Sequence, residues 1–338
     1  MVLVTGGTGL IGSHLLFELI KKEQPVRAIY RSERSLEKAK KIFSYYTEHP
    51  QRLMDKIDWV KADLLDIAQL EQSMQGVQYV YHCAALISFN PADYQELVKA
   101  NVEGTANIVN VCLANRVKKL CYLSSIAALG TQTNGTQVTE NTPWTDKNVT
   151  VYGLTKRRAE LEVWRGTQEG LPAVILNPGV VLGPGFWKSG SGSFFYFASK
   201  GNKKAPPGGT GFVSINDVVR GLIQAMGPGI SKERFIFVSE NLTYLEILQR
   251  IAHRLGKPVP EKEYGKLAIE VFWRLDWVRS KLLNKRRRLA KQTAKSLFNR
   301  QYYSNKKATE LLEFEFENLD TAIDFCCEKF KADFPEFF

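Results

Sequence analysis

The most restrictive feature of this 338-residue sequence is a run near its start, Thr5-Gly6-Gly7-Thr8-Gly9-Leu10-Ile11-Gly12. It lies between an apolar stretch, Val2–Thr5, that reads as a strand, and a segment from Leu10 to Lys22 whose Leu15, Leu16, Leu19 and Ile20 share one helical face. In that context each glycine has its own task. One permits a tight turn, one lets the backbone approach a pyrophosphate, and one allows close packing of helix on strand. Free N–H groups and the dipole at the start of the helix then favour an anion. Gly6, Thr8, Gly9, Leu10, Ile11 and Gly12 are therefore candidate dinucleotide contacts, with a purely structural turn as the alternative.

Further strands are expected at Val26–Tyr30, Ile57–Lys61, Val77–His82, Lys119–Ser124, Ala173–Asn177 and Arg234–Val238, with helices at Ala92–Asn115 and Val151–Glu169. Strands apolar on both faces and separated by helices imply an α/β fold: a Rossmann-type, doubly wound parallel sheet. After Asn177 the regular alternation stops. Residues 178–211 are rich in Gly, Pro, Ser and aromatics, Phe212–Ile215 reads as a strand, and Asn216 is placed to cap a helix reaching Met226. Beyond Leu242 the pattern is mainly helical, with a strand-like stretch near Val259–Tyr264. The expected division is a dinucleotide-binding domain at 1–178 and 212–239, and a smaller, mostly helical substrate lobe at 179–211 and 240–338.

The end of the second strand bears on cofactor type. Sites for NAD usually place an acid there, whereas sites for NADP place an arginine. Here it runs Ile29-Tyr30-Arg31-Ser32, so Arg31 is the candidate partner of a 2′-phosphate and NADP the expected cofactor. A solvated surface arginine is the other reading. Asp63 and Leu64 follow the third strand, where an acid can accept from an adenine amino group. The small residues Ala84 and Ala85 follow the fourth and let backbone lie against a cofactor. His82 reads as a packed strand-end histidine.

Tyr-x-x-x-Lys occurs four times, at Tyr152/Lys156, Tyr196/Lys200, Tyr302/Lys306 and Tyr303/Lys307. Only Tyr152 opens a helix between the fifth and sixth strands, at the sheet end where ligands bind. The i,i+4 spacing puts Lys156 on the same helical face. A nearby ammonium lowers a phenol pKa from its ordinary value near 10 toward the working range, so Tyr152 is the candidate proton-transferring residue. Lys156 is also expected to hold the nicotinamide ribose. Ser125 is the candidate donor to a substrate oxygen, and Ser124 competes with it, because alternation lets only one face the cleft.

These motifs, with Asn101-Val102-Glu103-Gly104-Thr105 and Asn177-Pro178 followed by Gly183-Pro184-Gly185, resemble the extended short-chain dehydrogenase/reductase superfamily over most of the chain. Within it the chain is most similar to the branch of dihydroflavonol reductases, cinnamoyl-CoA reductases and 3β-hydroxysteroid dehydrogenase-like proteins, often labelled NAD-dependent epimerase/dehydratase family. The resemblance implies an oxidoreductase interconverting a carbonyl and an alcohol on a small-molecule substrate, with Ser125, Tyr152 and Lys156 catalytic. It adds Asn101, Pro178 and Val181 to the cofactor contacts and favours Arg31 for the NADP phosphate. Relatives often dimerise through helices corresponding to 92–115 and 151–169. Nucleotide-sugar epimerases and dehydratases are the chief rivals. Such dehydratases tend to follow the catalytic hydroxyl with Asp-Glu, where this chain has Ile126-Ala127, and such epimerases usually show Asn-x-Tyr-Gly-Pro, where it has Val180-Val181-Leu182-Gly183-Pro184. A non-enzymatic binding protein is the third reading, and the full trio argues against it.

The net charge of +11 is the remaining oddity. No zinc-finger, RNP or basic-zipper pattern accompanies it, so nucleic acid is not expected as a partner. Lys266–Leu283 carries Leu267, Ile269, Val271, Phe272, Trp273, Leu275, Trp277, Val278, Leu282 and Leu283, followed by Lys285-Arg286-Arg287-Arg288, Lys291 and Lys295. Peripheral membrane contact through 266–291, a buried packing helix with a solvated tail, and an anionic substrate are the competing readings. Five cysteines without metal-ligand or framework spacing, and no leader pattern, place the chain in the cytoplasm and predict no metal site. Phe186, Trp187, Phe194, Phe195 and Phe197 fall in a glycine-punctuated stretch, suited either to covering a cleft or to ordinary packing.

Overall fold

The computed structural model describes residues 1–131, 135–145, 149–283, 294 and 296–338. Strands β1 (Val2–Thr5), β2 (Val26–Tyr30), β3 (Asp58–Lys61), β4 (Tyr79–His82), β5 (Lys119–Leu123), β6 (Ala173–Pro178) and, later in the chain, Glu233–Phe237 form one seven-stranded sheet. Every pairing in it is parallel. Its order runs from Glu233–Phe237 through β6, β5, β4, β1 and β2 to β3, so strand order reverses between β1 and β4. That crevice is where doubly wound sheets take their ligands.

The strands read as unbroken apolar runs because both faces are buried. Val2 and Val4 of β1 enter the core formed with Leu15, Leu16, Phe43 and Leu222, while Leu3 enters the opposite one with Val80, Ile108, Tyr122 and Val163. Cys121 and Leu123 alternate with Leu120 and Tyr122 across β5 in the same way. Helices Leu10–Lys21, Glu33–Phe43 and Ile215–Ala225 cover the first face, and Gly104–Ala114 with Val151–Gln168 the second.

The structure corrects two expectations and adds short strands to the mostly helical second lobe. The segment expected as one helix over 92–115 is a 3₁₀ turn (Pro91–Asp93), a short α-helix (Tyr94–Leu97), a π-helical stretch (Val98–Glu103) and an α-helix (Gly104–Ala114). Asn216 is not a cap; the helix is Ile215–Ala225, and Ser214 accepts the Asp217 N–H. The second lobe is not simply helical. Strands β7 (Val180–Leu182), β9 (Gly209–Ser214) and β11 (Glu240–Thr243) make a three-stranded sheet, β7 parallel and β11 antiparallel to β9. A two-residue ladder joins β8 (Lys204–Ala205) to β12 (Lys262–Glu263), within the stretch read as strand-like; Glu233–Phe237 is β10.

Packing, not cleft cover, accounts for part of the aromatic stretch. Trp187 and Phe195 lie edge-on at 5.5 Å inside the core built with Phe212, Leu248, Ile251 and Phe330. The Trp187 indole N–H donates to Asp333 at 2.7 Å. Replacing Phe195, fully buried, by alanine should cost about 3–5 kcal/mol, read as a lower denaturant midpoint, with nucleotide affinity unchanged in the folded fraction. A stability equal to wild type would show the side chain belongs to an open cleft.

Candidate active site

The turn after β1 is built from backbone. Gly6 adopts φ +68°, in the left-handed region, and a Cβ there would stand 2.6 Å from the Ala84 nitrogen. A Cβ on Gly12 would stand 2.2 Å from the Gly6 oxygen. Only glycine fits either place. The Gly9 N–H donates to Gly6 O at 2.9 Å and Ser13 Oγ to Gly7 O at 2.8 Å. The helix opens on Gly9, which has no side chain to cap it, so its first N–H groups point at the crevice uncovered by a side-chain oxygen. These features fit the pyrophosphate of a dinucleotide.

Around this turn the strand ends carry the predicted contacts. Arg31 is exposed and forms no ion pair among the described residues. The nearest acid, Glu33, accepts the Tyr30 hydroxyl at 2.8 Å. Asp63 is exposed, one oxygen accepting the Leu65 N–H at 2.9 Å, and the Asn107 amide holds the Leu64 carbonyl at 2.9 Å. Ala84 and Ala85 follow β4 against Gly6, the Ala84 N–H reaching Thr5 Oγ1 at 3.3 Å. His82 is the packed histidine expected. It lies between Thr5 Oγ1 (2.6 Å) and Thr105 Oγ1 (3.0 Å), and burial lowers its pKa to about 3.

Asn101 lies behind the cofactor wall. In the π-helical stretch its side chain clamps Leu86, accepting the N–H at 2.7 Å and donating to the carbonyl at 3.0 Å, and it reaches Thr155 Oγ1 at 3.2 Å. Its polar atoms are engaged with protein, so any effect on a ligand passes through the 84–86 backbone. Pro178 ends β6 and Val181 lies in β7, the strand of the small sheet that follows directly.

The helix Val151–Gln168 starts on Thr150, which accepts the Gly153 N–H at 3.0 Å. Gly153 sits so close to the turn Ile126–Ala128 that a Cβ would lie 2.6 Å from Ala127 O. That approach sets Tyr152 beside Ser125, near enough for the serine side chain to influence the phenol. Ser125 also accepts the Ala127 N–H at 3.1 Å. Ser124 turns inward, its Oγ buried without a partner among the described residues. Phe89 meets the Tyr152 ring edge-on at 5.6 Å.

Lys156 departs from expectation. It is 1% exposed, and its ammonium donates to Tyr122 Oη at 2.5 Å and Leu123 O at 2.8 Å, lying 4.2 Å from the Tyr122 ring centroid. Burial lowers its pKa to about 7, opposed by the charge of Glu160. The expected downward pull on Tyr152 is absent: burial pushes that phenol up to about 12, and the Ser125 hydrogen bond works the other way.

Sequence reading missed the layer beneath this trio. Glu160, fully buried, accepts the Asn177 amide at 2.5 Å and pairs with Arg234 at 3.2 Å. The same Asn177 nitrogen donates to Ser125 O at 2.9 Å. Arg234 also meets the Glu140 carbonyl, and the Glu140 carboxylate accepts the Ile236 N–H at 2.9 Å. A signal existed, since Glu160 repeats the spacing from Tyr152 to Lys156 by one more step of four. Ser124 Oγ and Asn177 Oδ1 are the buried side-chain polar atoms left without partners among the described residues, both at this edge of the sheet. The other Tyr/Lys pairs lie elsewhere: Lys200 covers the Tyr196 ring at 5.0 Å, and Tyr303 is a core residue beside Val138.

The chain belongs to the NAD dependent epimerase/dehydratase family, whose model matches residues 2–235. It is 30% identical to a putative dihydroflavonol 4-reductase of Synechocystis sp. over 267 residues, covering 76% of this chain and 73% of the relative. It is likewise 30% identical to sterol demethylase protein B of Methylococcus capsulatus over 263 residues, covering 76% and 75%. Among solved structures it is similar to yeast methylglyoxal/isovaleraldehyde reductase Gre2 complexed with NADPH, at TM-score 0.75, 20% identity and coverage of 100% and 99%. The UDP-glucuronic acid 4-epimerase of Bacillus cereus in complex with NAD gives TM-score 0.73, 20% identity and 98% of both chains. At that identity the two structures establish the shared dinucleotide-binding fold and do not separate the two cofactors.

The buried lysine makes a pH-dependent prediction. Its pKa is near 7 folded and 10.5 in an unfolded chain, so between those values the unfolded state binds more protons and this group's contribution to stability rises with pH. From pH 7 to 9, below the ordinary tyrosine range, wild type should gain thermal stability relative to Lys156→Met. A melting-temperature difference that stays flat or narrows over that window would place the ammonium in solvent.

Proposed function

We propose that this chain is an NADP(H)-dependent oxidoreductase interconverting a small-molecule carbonyl and its alcohol, with Tyr152 exchanging the proton. The placement of Tyr152 beside Ser125, with the Tyr152 helix opening against the turn that follows Ser125 at the end of β5, carries the reading. A bound nicotinamide supplies the hydride for reduction and takes it in oxidation. In the reducing direction Tyr152 Oη gives its proton to the oxygen of the carbonyl as that oxygen gains charge, and Ser125 donates a hydrogen bond to the same atom. A phenol held near 12 is protonated at neutral pH, which suits a proton donor. Lys156 orients the end of β5 through Tyr122 and Leu123, and from the end of that strand it suits a further role toward the nicotinamide ribose.

Two observations favour reduction over the sugar-nucleotide dehydratase and epimerase readings. Ile126-Ala127, with Ile126 buried, follows Ser125 where dehydratases of this scaffold tend to place an acidic pair. The reductase named among the 30%-identical relatives points the same way. NADP rests on Arg31, exposed at the end of β2, while Glu33 is occupied by Tyr30.

Tyr152→Phe should keep NADPH binding and lose turnover by about 10²-fold or more, measured by NADPH oxidation across a panel of aldehydes and ketones. Turnover within a few-fold of wild type would assign the proton step to another group. A tightly held nicotinamide released only on denaturation, with no reductase activity on the panel, would favour the epimerase. Arg31→Ala should weaken NADPH by roughly 10–100-fold, as loss of a charge-assisted contact does, and NADH by much less. Equal weakening of both would remove Arg31 from the phosphate site.

A further inference from the structure

The helix Lys266–Leu282 presents an apolar stripe to solvent. Leu267, Val271, Leu275, Val278 and Leu282 recur at steps of four, four, three and four, which gathers them into an arc of roughly 80°. All five are exposed, from 41% at Val278 to 83% at Leu267. Ile269, on the far side of the helix, is its one buried residue, and Phe272 meets Tyr264 edge-on at 5.4 Å. A helix that packed its apolar face into the lobe would bury the stripe; this one leaves the stripe in solvent and buries Ile269. Trp277 and Leu283, 43% and 57% exposed, extend the apolar surface near its C-terminal end.

Charge selects the occupant. Residues 266–295 hold ten Lys or Arg against Glu270 and Asp276, so eight of the eleven net positive charges of the chain fall in this one segment. The run Lys285-Arg286-Arg287-Arg288 with Lys291 and Lys295 lies outside the described residues and contributes here only its charge. A second copy of the chain brought face to face would set these like charges together. A surface of anionic phospholipid meets both features at once, offering an acyl boundary to the aliphatic stripe and a negative field to a segment of net positive charge. Among the described residues no helix is long and apolar enough to cross a membrane, so the contact lies in the plane of the surface.

We propose that the helix Lys266–Leu282 docks the protein peripherally on an anionic phospholipid bilayer through the Leu267/Val271/Leu275/Val278/Leu282 stripe. The inference is independent of the catalytic reading. The full chain is mixed with vesicles of phosphatidylcholine and phosphatidylglycerol, or of phosphatidylcholine alone, and sedimented. Wild type should pellet with the anionic vesicles, fall by about tenfold in bound fraction at high salt, as expected for charges within a Debye length of the surface, and stay in solution with the neutral ones. Leu275→Glu/Leu282→Glu, altering two side chains that are 61% and 79% exposed, should keep the wild-type melting temperature and NADPH affinity and lose vesicle binding. Failure of wild type to pellet, equal pelleting with neutral vesicles, or unchanged binding by the double variant would overturn the proposal. So would a wild-type dimer by light scattering that the double variant converts to monomer, which would assign the stripe to self-association.

Discussion

A carboxylate with no exposure to water organises the catalytic edge of this protein. A buried carboxylate needs partners, and Glu160 finds them in four places. The Asn177 amide comes from the end of β6, the Arg234 guanidinium from β10, Arg157 reaches it at 3.8 Å from three residues earlier on its own helix, and the charge of Lys156 acts from one turn earlier. Asn177 passes the constraint on by holding the Ser125 carbonyl, and Arg234 passes it to the 140 region through Glu140. One buried charge thus ties the helix carrying Tyr152 to three neighbouring strands of the sheet. Removing any partner strands the others in low dielectric, so the group holds together as a unit.

On the other side of the crevice the constraint is steric. The Gly6–Gly12 contact and the approach of Gly6 to Ala84 leave no room for a single added carbon, so the turn, β4 and the first helix can assemble in one way. Between these two rigid halves lie the residues with chemical freedom. Tyr152 and Ser125 face each other, Arg31 stands exposed at the end of β2, and the orphaned oxygens of Ser124 and Asn177 mark where polar capacity has been left unused. Unsatisfied buried polar atoms are costly, and their concentration here fits a site organised around something other than stability.

How legible all this was in the sequence follows from the range of the interaction involved. The strands of the main sheet were readable because burial on both faces leaves an apolar run that few other structures explain. The glycine turn was readable because it joins neighbours in sequence. The break in 92–115 was not, since the π-helical stretch accompanies Asn101 reaching back to Leu86, a contact invisible to helical periodicity. The small sheet was missed for a related reason: β7, β9 and β11 are short and widely separated, and each gains meaning only from its partners. The Ser124 or Ser125 choice was left open by alternation along a strand and decided by where the Tyr152 helix begins.

By itself the sequence determined the local grammar: the strand–glycine–helix unit, the seven strands, the helix bearing Tyr152 and Lys156, and the excess of cations near 266–295. Each of these depends on spacing within a dozen or so residues, where backbone geometry alone relates position to face. The tertiary structure decided the direction of the polar groups. It sent the Lys156 ammonium to Tyr122 and Leu123, gave Glu160 its partners from distant strands, and turned the stripe of the 266–282 helix outward rather than in. Burial and electrostatic satisfaction depend on everything packed around a group, and those neighbours come from parts of the chain that no local pattern connects.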